Sequence, residues 1–264
     1  MSHYTHGQDP AVLAAHRSRT AQNSATHLLP RLSPGMTLLD VGCGQGTITR
    51  GLAEAVAPGQ VTGIDTSAEV VEVAAEVAPL PPNLTFQVGD VYQLDFPSDH
   101  FDVVHAHNLL QHLSEPSNAL QEMARVTKAG GLISLREGDY AGAFWYPASF
   151  GWEGWQAAYQ QVARCGGGEL AAGRNLRAWA LEAGLDQLES SGSLMTYPGA
   201  ASAQEWATSW ATRIRQTKFN ALAQDCRVAT VHQMDAWATD MVEWAEQPGA
   251  FFAMPLGQLL ITVP

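Results

Sequence analysis

The chain is poor in charge, and poorest in positive charge. Of its 264 residues 15% are Asp, Glu, Lys or Arg, and 14 Lys and Arg stand against 26 Asp and Glu, a formal net charge of -12. A surface of that sign repels phosphate backbones, so no nucleic-acid partner is expected. Long hydrophobic runs are missing too; none approaches the roughly 18 residues a membrane span requires. Cysteine is scarce: Cys43, Cys165 and Cys226 are widely spaced and odd in number. They are expected to be reduced thiols, neither a disulfide frame nor a zinc site. The opening "MSHYTHGQDP" lacks the basic-then-apolar layout of a secretory leader, and a cytoplasmic location is expected. No internal repeat or low-complexity tract is visible. What the chain does have is 46% hydrophobic residues, enough for one large domain or a domain with an inserted cap.

Strand and helix signals alternate through the first half. A helical pattern spans Pro10 to Leu29 and is closed by Pro30 and the "SPG" at Ser33 to Gly35. "TLLDVG", "QVTGID", "LTFQVGD", "FDVVHAH" and "GLISLREGD" read as five strands. "TITRGLAEAVA", "SAEVVEVAAEVA" (with Ser67 as N-cap) and "PSNALQEMARVT" read as helices. This alternation predicts an α/β fold with a doubly wound, mostly parallel sheet covered on both faces. After Tyr140 the pattern changes to an aromatic-rich stretch, a helix-turn-strand segment, two helices expected to form a cap, and a last strand at "GQLLITVP". The expected organisation is a helical lid over residues 1–36, a ligand-binding core over 37–140, and a substrate region over 141–264 with the cap and the final strands.

One segment asks for an explanation. In "LLDVGCGQGTITRGLAEAV", Gly42, Gly44 and Gly46 fall at every second position between the first strand and its helix. In an open parallel sheet, ligands bind outside the carboxyl ends of the strands where strand order reverses. Glycines there permit a tight turn and close approach to a ligand. The loop ends at a helix N-terminus, which favours negative charge. The spacing is G-x-G-x-G, not the G-x-G-x-x-G of dinucleotide folds, and alone it is weak. Its context is stronger. Asp40 precedes the loop, Asp65 ends the second strand 19 residues after Gly46, and Asp90 ends the third in "VGDV". Asp65 is placed to accept from both hydroxyls of a ribose, and Asp90 with the Val91 N–H to pair with an adenine. An oxidoreductase with Asp65 on an unphosphorylated ribose is the alternative; the glycine spacing and "VGDV" count against it.

The stretches "LLDVGCGQGTIT", "VTGIDTS", "FQVGDVYQLDFPSDHFDVVHAHNLLQHLSEP" and "ALQEMARVTKAGGLISLREGD" resemble the class I S-adenosylmethionine-dependent methyltransferases, and among them the ubiquinone-biosynthesis-type small-molecule branch. Ala129 stands where that pattern usually has proline. The leader from Tyr4 to Pro30 resembles those of secondary-metabolite methyltransferases, and beyond Tyr140 the resemblance fades. It implies a Rossmann-like sheet of seven strands with the last antiparallel, and S-adenosyl-L-methionine as cofactor. It also implies roles: Gly42 and Gly44 against the methionine part, Asp65 and Thr66 at the ribose, Asp90 and Val91 at the adenine, His107 near the methionine amino group.

The acceptor is less legible. No Asn-Pro-Pro-Tyr-like motif follows the fourth strand, no basic stripe suits RNA, and no carboxylate cluster has metal-ligand spacing. A small aromatic or apolar metabolite is expected. Trp145 and Trp152, next to the fifth strand's end, are the candidates for walls of a flat slot for such a metabolite or for a cationic amine, and packing in the core is the alternative. Candidate proton acceptors are Glu137, His112 and Tyr4, with His3, His6, His107 and Asp139 behind them. A loose overall resemblance plus the aromatic cap suggests carbon-3 methylation of an indole. A quinone-ring methyltransferase and a non-catalytic binder of the cofactor are the alternatives, and a homodimer is the assembly considered.

Overall fold

A computed structural model describes residues 19–216 and 218–264. The strands are β1 (Leu38–Val41), β2 (Val61–Asp65), β3 (Leu84–Val88), β4 (Phe101–His107), β5 (Thr127–Gly138), β6 (Phe144–Tyr146), β7 (Leu188–Pro198) and β8 (Phe251–Thr262). The helices are α1 (Ala21–Ser24), α2 (Thr47–Val56), α3 (Ala68–Glu76), α4 (Pro116–Val126), α5 (Phe150–Cys165), α6 (Ala172–Glu182), α7 (Gly199–Gln216), α8 (Lys218–Asp225) and α9 (Val231–Ala245). The sheet runs β3-β2-β1-β4-β5-β8-β6, with β7 on the other edge of β8. The pairs among β1 to β5 are parallel, and β8 is antiparallel to β5, β6 and β7.

Side-chain alternation explains the layers. Leu39, Val41, Val104 and Ala106 pack into one core with Leu120 and Met123 of α4 and Leu176 of α6. Their neighbours Leu38 and Val103 pack into another with Ala21 of α1 and Leu52 and Val56 of α2. Successive residues of a strand face opposite sides, so a strand buried on both sides reads as the unbroken apolar run seen at Leu38–Val41. A third core belongs to the cap: Trp152, Trp155, Trp210 and Trp244 from α5, α7 and α9 close over Phe252 of β8.

The structure differs from expectation at four places. Among the described residues the sheet has eight strands, because the chain leaves β5 through a short turn at Tyr140–Gly142 and pairs once more with β8 as β6. The aromatic stretch after β6 is a helix, α5, started by Ser149 Oγ accepting from the Trp152 N–H. Within the described part of the expected Pro10–Leu29 helix only the single turn α1 forms. And Cys165 and Cys226 are bonded to each other, tying α5 to the segment after α8, which leaves Cys43 as the free thiol. Spacing along the chain gave no hint of that pair, since 61 residues separate them. No described helix is long and apolar enough to cross a membrane.

Candidate active site

The β1–α2 loop answers the question its glycines raised. Gly42, Gly44 and Gly46 have φ of 73°, 53° and 73°, so all three occupy the left-handed region that side chains disfavour. The spaces around them differ. A methyl on Gly44 would meet nothing within 4 Å, whereas one on Gly46 would run into the ring of Phe86. Gly44 is therefore open toward a cavity, and Gly46 lets β3 pack against the loop. The loop is braced by Asp65, at the end of β2: one carboxylate oxygen accepts from the Gly44 N–H at 3.1 Å and the other from the Ser67 N–H at 3.1 Å. Ser67 in turn caps α3 by accepting from the Val70 N–H.

The cavity has a volume of about 720 Å³ and opens over the carboxyl ends of β1 to β5. That is within the range of small-molecule sites, ~300–1,000 Å³. The sequence-predicted residues Asp40, Gly42, Gly44, Asp65, Thr66, Asp90, Val91, His107 and His112 all line it. Asp40 is buried, which raises its carboxyl to about 7 against the pull of the Thr49 hydroxyl that donates to it at 2.6 Å. Asp90 folds back to accept from the Tyr92 N–H at 2.9 Å. His107 is buried, with its Nε2 2.8 Å from an Arg136 amino group. His112 is drawn down to about 4 by burial and by the charge of Arg19, so its ring is neutral near pH 7.

Other expected residues are placed elsewhere. Glu137 is fully buried and does not line the cavity. Its oxygens accept from the backbone N–H groups of Leu109 and Leu110, at 2.8 and 2.7 Å, and from that of Gln111 at 3.4 Å. Burial pushes it up to about 8 while those three donors pull it down. It holds the turn that carries His112 and is not positioned as a base. Trp145 and Trp152 pack with the cap and do not line the cavity: Trp152 is 0% exposed among Trp155, Trp244 and Phe252, and the half-buried Trp145 stacks on Phe252. Asp139 is paired with Arg174 at 2.6 Å. Tyr4, His3 and His6 lie outside the described residues.

Among the cavity residues that had not been anticipated are Arg19, Gln111, Tyr140 and Arg213. Arg213 did leave a signal, since it stands on the buried side of α7 with Trp206 and Trp210. Asn108 also matters. Just past β4 it adopts φ 52°, and its side-chain oxygen accepts from the Gly138 N–H, turning the chain over the strand ends.

A nucleoside cofactor fits this chain's own features: an open glycine cradle at a helix start, a braced carboxylate at the end of β2, and a buried carboxylate, Asp40, to face a cationic group. Comparison with known proteins agrees. Residues 39–135 match the methyltransferase domain family. An uncharacterized methyltransferase of Schizosaccharomyces pombe is 34% identical over 224 residues, covering 80% of this chain and 78% of that one. The 2-methyl-6-phytyl-1,4-hydroquinone methyltransferase of Synechocystis is 36% identical over 125 residues, 47% of this chain and 39% of that one. Among solved structures, a phosphoethanolamine N-methyltransferase of Haemonchus contortus in complex with S-adenosyl-L-methionine shares the fold with a TM-score of 0.54 at 19% identity, over 90% of this chain and 52% of that one. Strand order, glycine cradle, acid placement and a relative matched over most of both chains converge, and the chain belongs to the class I S-adenosylmethionine-dependent methyltransferases.

Proposed function

We propose that this methyltransferase acts on a small planar metabolite seated between His112 and Tyr140, with indole carbon 3 as the specific acceptor expected from the sequence. The observation that carries the reading is the Asp65 brace. One carboxylate fixes the Gly44 and Ser67 amides and keeps lone pairs for two ribose hydroxyls. Asp90 and Val91 would hold the adenine, Thr66 would flank the ribose, Gly42 and Gly44 would lie along the methionine part, and Asp40 with His107 would face its amino group. A cation beside Asp40 would favour the ionised carboxylate that burial alone disfavours.

When bound, S-adenosylmethionine supplies an electrophilic methyl group. The chain's part is to align the acceptor in line with the departing sulfur and to exclude water. Tyr140, buried at the end of β5 and packed edge-on to Trp155, Tyr159 and Trp210, supplies a rigid wall. Methylation of an indole at carbon 3 leaves a cationic ring whose N–H is acidic enough for a weak base. His112, neutral and held at about 4, suits that step better than Glu137, whose oxygens are occupied. A hydroquinone ring, the acceptor in the name of the Synechocystis relative, is the second reading.

Incubation with methyl-labelled S-adenosylmethionine and a fractionated extract of small metabolites tests the proposal. A labelled planar product identified by mass spectrometry is expected, and its structure decides between indole and quinol. Cofactor binding with no labelled product from any fraction would instead mark a binder without transferase activity.

A further inference from the structure

The cavity is polarised along the sheet. The acids that line it, Asp40, Asp65 and Asp90, sit at or just past the ends of β1, β2 and β3. No other carboxylate is among the described lining residues. Near Tyr140, just past β5, the wall carries two guanidinium groups, Arg19 and Arg213. Three strand spacings separate β2 from β5 in the sheet order, about 14 Å at ~4.8 Å each.

Both arginines act on the same place. Each exerts its charge on the Tyr140 hydroxyl, and Arg19 also acts on His112. Arg213 is only 5% exposed, on the same buried side of α7 as Trp206 and Trp210, and its guanidinium lies 4.8 Å from the centre of the Trp210 ring. A helix whose role was only packing would carry an apolar residue at this position, yet here a guanidinium lines the cavity. A third feature points to a ligand. Gln111, 2% exposed, donates from its amide nitrogen to the Asn108 carbonyl and toward His112, while its buried oxygen Oε1 accepts no hydrogen bond from the described residues. A buried acceptor without a donor is destabilising unless a bound molecule supplies one.

We propose that the acceptor substrate carries a carboxylate or an oxyanion of like charge, held by Arg19 and Arg213, and an N–H or O–H that donates to Gln111 Oε1. The inference rests on the reading of this cavity as joint cofactor and acceptor site, and it narrows the acceptor to planar acids. A cationic amine, compatible with the aromatic content of the sequence, is disfavoured by like charge.

The test uses the full chain saturated with S-adenosylhomocysteine and three calorimetric probes: indole-3-acetate, the uncharged isostere indole-3-acetamide, and tryptamine. Indole-3-acetate should bind at least tenfold tighter than the amide, and tryptamine most weakly. The preference should fall below threefold in Arg19→Met and in Arg213→Met, with S-adenosylhomocysteine affinity, the control for folding, unchanged within twofold. Should Arg213→Met fail that control, the half-buried Arg19 carries the test alone. Equal binding of acid and amide, no binding of any probe, or a preference that survives substitution overturns the inference and leaves the cofactor reading intact. Failure of the parent protein to bind S-adenosylhomocysteine overturns both.

Discussion

Gly44 and Gly46 are two residues apart, share the same backbone conformation, and should answer substitution in opposite ways. In either, alanine is forced into the left-handed region at φ 53° or 73°, which costs ~1–2 kcal/mol. For Gly44 that is the whole effect on folding, because its new methyl meets nothing within 4 Å. The melting temperature of Gly44→Ala should fall by about 2–4 °C. The methyl projects into the cavity proposed to hold the cofactor, however, and crowding there by ~1–3 kcal/mol should lower S-adenosylhomocysteine affinity by roughly 5- to 150-fold. For Gly46 the methyl collides with Phe86 Cζ and comes within 2.8 Å of Cε1. Phe86 cannot swing aside freely, because the same ring abuts Gly63. An overpacking term of ~1–3 kcal/mol adds to the backbone term, for a loss of about 2–5 kcal/mol in chemical denaturation. The double variant Gly46→Ala/Phe86→Ala should then cost less than the sum of its single variants by at least ~1 kcal/mol, since the collision is gone. Calorimetric titration and denaturation of the four proteins decide the matter. Undiminished cofactor affinity in Gly44→Ala, or strict additivity at Gly46 and Phe86, would refute the division of labour between cradle and packing.

Asp65→Ala removes a carboxylate that braces two amides and is expected to hold the ribose; calorimetry should show S-adenosylhomocysteine affinity down by ~100-fold or more, as for loss of two charge-assisted hydrogen bonds, and unchanged affinity would remove Asp65 from the site. Glu137→Gln keeps one acceptor oxygen but adds an amide nitrogen facing the donor N–H groups, so denaturation should show a loss of about 1–3 kcal/mol; turnover abolished at unaltered stability would return Glu137 to the role of base. Under denaturing, non-reducing conditions a thiol titration should count one free cysteine, rising to three after reduction; three from the start would exclude the Cys165–Cys226 bond. Stability should peak near pH 6–7. His27, His105 and His112 are held at about 4, 3 and 4 by burial; their contribution is complete above their ordinary 6.5 and is lost as pH falls, because the unfolded chain takes up protons that the folded one refuses. Asp40 and Glu137, raised by burial to about 7 and 8, do the reverse and lose their contribution as pH rises through those values; a melting temperature that holds level from pH 6.5 to 9 would contradict the assignment.

What could be read from the sequence followed how local its cause was. The parallel half of the sheet was legible because each strand is an apolar run closed by a turn, and each ending supplies one polar residue to the cavity: Asp40, Asp65, Asp90, His107. Those residues needed no knowledge of tertiary contacts, since strand ends in such a sheet meet at one edge by construction. Glu137 shows where this reasoning stops. It too ends a strand, but the turn after β4 folds back over it and presents three amides, a contact across 26 to 28 positions that no spacing rule reports. Trp145 and Trp152 failed for a related reason. An aromatic residue near a strand end suits a ligand wall and a cap core equally, and the choice is made by where α7 and α9 pack. The cap decided the acceptor side as well: Arg213 comes from a helix 73 positions beyond Tyr140, yet both face one space. Its own helix carried the clue, a charge in register with Trp206 and Trp210 where packing calls for an apolar residue. On the proposed reading of this chain, the cofactor end lies in motifs and the acceptor end in exceptions to the packing pattern, because a charge that breaks an apolar stripe on a cap helix depends on contacts that no local spacing reports.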